Sequence, residues 1–103
     1  MVIIPIIGTA IVEEVFFRGY ILNTLLKDMK RGVAIIITSI LFVLIHLPLL
    51  LFIQHLGASE FLLALYILFV SSIVYSILFV KTRSLWPSII AHFLNNVLLL
   101  LFV

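Results

Sequence analysis

The chain has 103 residues, of which 66% are hydrophobic and 10% charged, with six Lys and Arg against four acids and no cysteine. Its mean hydropathy is +1.49. A soluble domain carries about 25% charged residues and about 45–50% apolar ones, and a chain this small has too little interior for so many apolar side chains. This excludes a water-soluble globule, a disordered tail, a basic nucleic-acid binder and a disulfide or Cys-zinc scaffold.

Four apolar runs follow one another, at about 2–26, 33–53, 61–80 and 85–103. Each approaches or exceeds the roughly 20 helical residues that cross a hydrocarbon core. The composition and spacing predict an all-α polytopic transmembrane bundle of about four antiparallel helices, forming one domain over residues 1–103. Strands are disfavoured, because a lipid-facing strand must belong to a closed barrel and these runs do not alternate.

The first run contains Glu13, Glu14 and Arg18. A charge at mid-helix costs roughly 2.5–3.5 kcal/mol on insertion scales, so this face must turn toward other helices or a wet cavity. Intramembrane ionisable residues are functional candidates by default. Glu14 and Arg18 stand four apart, on one helix face, and can neutralise each other as supporting groups. Glu13 is left without that partner.

The connector 27–32 carries Lys27, Lys30 and Arg31. The second run then brings His46, four residues after Phe42, with Pro48 placed to kink the helix and free a carbonyl near the site. His55, in the next connector, reads as an ordinary loop residue. The third run holds Ser71, Ser72, Ser76 and two tyrosines, with nothing ionisable at neutral pH. Lys81 and Arg83 mark the third connector, and Trp86 beside them reads as an interfacial anchor. The fourth run carries His92, Asn95 and Asn96, with His92 and Asn96 on one face.

Five of the six basic residues lie in the first and third connectors. The positive-inside rule places those two connectors in the cytoplasm and both chain ends opposite, as a multi-pass membrane protein. Residues 1–12 lack the basic start of a cleavable signal and are read as part of the first span. At 1.5 Å per residue, Glu13 and His46 both lie about 21 Å from the first connector, whereas His92 lies only about 12 Å from the third. Convergence of all three requires tilt or stagger of the last helix.

Glu13-Glu14-Val-Phe-Phe-Arg18, Phe42-Val-Leu-Ile-His46 and His92-Phe-Leu-Asn-Asn96, in this order and on separate apolar helices, resemble the motifs of the CPBP family of intramembrane proteases. That family embraces CAAX prenyl endopeptidases, bacteriocin-processing and immunity proteins, and abortive-infection (Abi) membrane proteins. The resemblance runs from about Pro5 to Leu99. It implies that Glu13 is the catalytic carboxylate, that His46 works with it on a water, that His92 and Asn96 complete the site, and that Glu14 and Arg18 support it. Relatives usually carry further helices around this core, so the chain is a minimal member, a truncated one or an excised core.

These groups can perform peptide hydrolysis: a carboxylate and an imidazole to activate water, and an amide and a ring N–H to receive an oxyanion. Glu13, His46 and His92 also form an oxygen–imidazole donor set suited to zinc or another divalent metal. The sequence leaves metal-dependent and metal-free, glutamate-dependent hydrolysis both open, while the absence of an HExxH helix excludes the soluble zincin arrangement. The expected partners are the lipid bilayer and a peptide or membrane-protein substrate, with a prenylated C-terminus suggested by the resemblance alone; no nucleic acid is expected. Two other readings compete. One is a non-catalytic immunity or scaffold protein retaining the polar network. The other is an ion conduit, which the apolar third helix and outer halves of the spans disfavour.

Overall fold

The computed structural model describes residues 3–52 and 56–102, which are helical apart from short connectors. Helix α1 covers residues 3–25: an α-helical part Ile3–Glu14, a π-helical part Val15–Leu22 and a closing turn Asn23–Leu25. Helices α2 (Arg31–Phe52), α3 (Ala58–Thr82) and α4 (Trp86–Phe102) follow. These bounds lie within three residues of the apolar runs. The ends proposed at residues 2, 53 and 103, and His55, lie outside the described residues.

The four helices form a closed ring. α2 packs along α3, α3 along α4, and α4 against the α-helical part of α1, while the π-helical part of α1 meets α2 and reaches across to α3. Short connectors impose antiparallel neighbours. Pro87 occupies the first turn of α4, where its missing N–H costs nothing. Pro48 lies inside α2, which continues through it to Phe52; the carbonyl of Leu44 is thereby deprived of its helical donor.

The partition of side chains is inverted relative to a soluble protein. Glu14, Arg18, Thr38, Ser39, Ser72, Ser76 and Ser88 are fully buried, whereas Val12, Tyr20, Leu44, Ile45, Leu62 and Leu98 are exposed. In water such an outer surface would far exceed the few hundred Å² of contiguous apolar patch that a monomer tolerates. In lipid it is the ordinary outcome, with polar groups facing the bundle interior. α2 and α3 are each long and apolar enough to cross a membrane.

The π-helical stretch has a specific effect on α1. Ala10, Glu14, Arg18 and Leu22, four apart in succession, are all fully buried. In a regular α-helix a four-residue step overshoots a full turn by about 40°, so this column would wind away from the core by its last member. The wider i→i+5 turn, seen where the Asn23 N–H donates to the Arg18 carbonyl, lags where the α turn leads and keeps the column facing inward.

Gly19 settles the depth of α4. Leu85, which leads into α4, packs with Leu22 at the basic end of the bundle, and a Cβ placed on Gly19 would lie 3.4 Å from Leu85 Cδ1. The last helix therefore starts level with Gly19, well inside the level of Lys27. Six residues separate Gly19 from Glu13 and seven separate Leu85 from His92, a rise of about 9 Å and about 10.5 Å. The mismatch counted from the connectors disappears. Gly19→Ala is expected to fold with stability close to the parent. Gly19→Leu, which drives a branched side chain into Leu85, should lose about 1–3 kcal/mol, read as a lowered unfolding temperature in detergent.

Candidate active site

Glu13 and Glu14 are neighbours in sequence with separate duties. Glu14 is fully buried. Its Oε2 accepts from Arg18 Nη1 at 3.3 Å and from His92 Nδ1 at 2.7 Å. Arg18 extends across the bundle, its Nη2 donating to both the carbonyl and the hydroxyl of Ser72 at 2.6 Å. The guanidinium also lies 5.1 Å from the Phe42 ring centre and 5.3 Å from that of Tyr75, within range of cation–π attraction. One carboxylate and one cation thus tie α1, α3 and α4 together with no charge facing lipid.

Glu13 is more open, its side chain 23% exposed. Its Oε2 lies 3.4 Å from His46 Nε2 and its Oε1 3.2 Å from His92 Nε2. His46 Nδ1 lies 2.7 Å from the carbonyl of Phe42 one turn earlier. A carbonyl and a carboxylate can only accept, so both Nδ1 atoms are the donors of their bonds. Each imidazole thereby presents Nε2 to Glu13, and each Nε2–oxygen contact requires a proton on one side or the other. The arrangement stores protons between one acid and two bases.

A cavity of about 360 Å³ opens onto these groups, lined by Glu13, His46, His92, Asn95 and Asn96 together with Phe42, Ser71 and Tyr75. The structure therefore brings Glu13, His46, His92 and Asn96 to one place, with Glu14 and Arg18 sealed behind them. Asn96 reaches the cavity from α4 one turn beyond His92. A second cavity of about 320 Å³, lined by Val12, Phe16, Phe17, Ile45 and Leu49, reaches Glu13 and His46 between α1 and α2.

α3 supplies none of the motif residues but supports the site. Ser72 receives Arg18, and Tyr75 is stacked on His92 with ring centres 4.8 Å apart and planes 14° apart. Ser88 in α4 donates to the Tyr75 carbonyl at 2.7 Å. Ser72 and Ser76, one turn apart and fully buried, were the available signal: small polar residues at a helix spacing mark an interior face in a membrane bundle.

Among the described residues no three His, Asp or Glu side chains are arranged as a metal site. The two Nε2 atoms face separate oxygens of Glu13 directly. The site as arranged suits acid–imidazole pairing.

The family model for type II CAAX prenyl endopeptidase Rce1-like proteins matches residues 1–98. The chain belongs to this family. No curated protein and no solved structure matches it. Family membership makes the chain peptidase-like and agrees with the apolar exterior of the bundle. Within this CAAX-endopeptidase-like core Glu14 and Arg18 form a fully buried ion pair. Arg18→Met is expected to strand the Glu14 carboxylate in the interior and to cost about 3–5 kcal/mol, measured as loss of folded protein on heating in detergent. Ser72→Ala, which leaves the carbonyl acceptor in place, should cost far less.

Proposed function

We propose that the chain is the core of an intramembrane endopeptidase that hydrolyses a peptide bond with a water activated by Glu13 and His46, His92 and Asn96 completing the site. The observation that carries this reading is the single carboxylate shared by two imidazoles at 3.4 and 3.2 Å, at the wall of a cavity large enough for a peptide segment. The four helices are read as four antiparallel spans of one domain, with the connectors bearing Lys27, Lys30, Arg31, Lys81 and Arg83 in the cytoplasm.

In this mechanism a water enters between Glu13 and the imidazoles, and Glu13, with His46 beside it, takes one of its protons. The oxygen bonds to the scissile carbonyl carbon, and the C=O pair moves onto the carbonyl oxygen. That oxyanion is received by the Asn96 amide N–H and by a ring N–H of His92. The stored proton passes to the leaving nitrogen as the C–N bond breaks, and collapse of the oxyanion restores the carboxyl group. Glu13 is the more accessible of the two acids, while Glu14 is committed to Arg18 and His92. Their different surroundings, not their chemistry, divide the roles.

Family membership supports a peptide substrate. A prenylated C-terminal peptide suits a site beneath an apolar surface, because its lipid can approach between helices through the groove lined by Val12, Phe16 and Ile45. The test is cleavage of a farnesylated peptide ending in a CAAX sequence by purified protein in vesicles, beside the unprenylated peptide. Glu13→Gln and His46→Ala are each expected to lower kcat about 10²–10⁴-fold with folding retained, and a chelator should leave the rate unchanged. Cleavage by Glu13→Gln at the parent rate would remove the catalytic reading in favour of a scaffold. Inhibition by chelator, restored by zinc, would replace the metal-free mechanism.

The topology has its own check. The chain has no cysteine, so Lys30→Cys and Lys81→Cys each provide one thiol. Both should react with an impermeant maleimide added from the cytoplasmic side and stay unlabelled from the other. Labelling of either from the opposite face overturns the orientation.

A further inference from the structure

Tyr75 is buried, 4% exposed, and lines the cavity without belonging to any of the three motif clusters. Its relation to His92 is geometrically particular. Both ring nitrogens of His92 are engaged with acids, Nδ1 with Glu14 and Nε2 with Glu13. Two such contacts fix the line through the nitrogens but leave the ring able to rock about that line. A second flat ring laid parallel on its face, as Tyr75 is at 14°, removes this freedom. Phe42 meets the same imidazole steeply, 6.0 Å away and 67° inclined, and offers no such restraint.

Tyr75 is itself held. The Ser88 hydroxyl donates to its carbonyl, and Ser88 precedes His92 by four residues, on the same face of α4. The helix that carries the imidazole therefore also grips the residue against which the imidazole is stacked. Arg18 lies over the Tyr75 ring at 5.3 Å, adding a contact that depends on the ring. The hydroxyl faces Ser71 and Asn95.

We infer that Tyr75 is a positioning residue for His92: its ring, rather than its hydroxyl, sets the plane of the imidazole whose two nitrogens Glu13 and Glu14 hold. The kinetic part of this inference rests on the endopeptidase reading; the geometric part does not. The experiment compares the full chain with Tyr75→Phe and Tyr75→Leu in the same detergent, by NMR of labelled histidine rings assigned through His92→Gln and His46→Gln. The His92 ring protons should keep their aromatic ring-current shift in Tyr75→Phe and lose it in Tyr75→Leu, with the His46 signals unmoved. In the cleavage assay Tyr75→Phe should match the parent, whereas Tyr75→Leu should lose about 10–100-fold in kcat with KM changed by no more than about twofold. If Tyr75→Leu does not fold, Tyr75→Met supplies the same two readouts.

An unmoved His92 signal in the variant lacking the ring overturns the inference, as does a Tyr75→Phe protein as impaired as Tyr75→Leu. Should the parent cleave no peptide, the endopeptidase reading fails, and the NMR arm alone decides the role of Tyr75.

Discussion

The interaction on which the rest depends is the buried Glu14 carboxylate, held at once by Arg18 and His92. In a lipid-facing helix each of these charges would be expensive; together they form a group that can be folded away. Arg18 carries the connection on to Ser72 in α3, and His92 carries it into α4. Three helices therefore converge on one anion. The pair does not owe its value to raw stability, since buried ion pairs often do no better than apolar residues of equal volume. Its value is placement: it fixes one nitrogen of His92 and leaves the other facing the cavity.

From that anchor the division of labour between adjacent acids follows. Consecutive residues on a helix point about 100° apart, so a Glu-Glu pair necessarily sends one carboxylate into the core when the other borders it. Glu14 falls on the column of Ala10, Arg18 and Leu22, which the π-helical stretch holds inward. Glu13 falls beside it, at the cavity, where His46 from α2 and His92 from α4 meet it. His46 is oriented by the simplest available device, a bond to the carbonyl one turn earlier in its own helix.

The sequence was informative where chemistry is costly. Glu13, His46 and His92 stood out because charged and imidazole groups in apolar runs need a reason; helix spacing levelled only Glu13 with His46, and the expectation that His92 joins them came from the motif resemblance. It was uninformative where the contribution is made by residues that belong naturally in a membrane helix. Ser72 and Tyr75 carry no penalty that would draw the eye, and their role depends on the rotation of α3, which no local pattern sets strongly. The depth of α4 was likewise hidden, since it comes from a tertiary contact between Gly19 and Leu85. The π-helical turn has no single residue that announces it, and it emerges from the need to bury Glu14, Arg18 and Leu22 together.

That turn makes the spacing of α1 a property in its own right. Deleting one residue between Val15 and Leu22 would let the segment relax to ordinary helix with its flanks in register, because eleven steps of about 100° bring Leu22 back to within about 20° of Ala10. Leu22 would keep its inward face at the basic end of the bundle, and the contact that seats α4 with it. The stretch therefore tolerates the loss of one residue better than a gain: a further inserted residue has no wide turn left to absorb it and would rotate Leu22 and all that follows by about 100° away from the core.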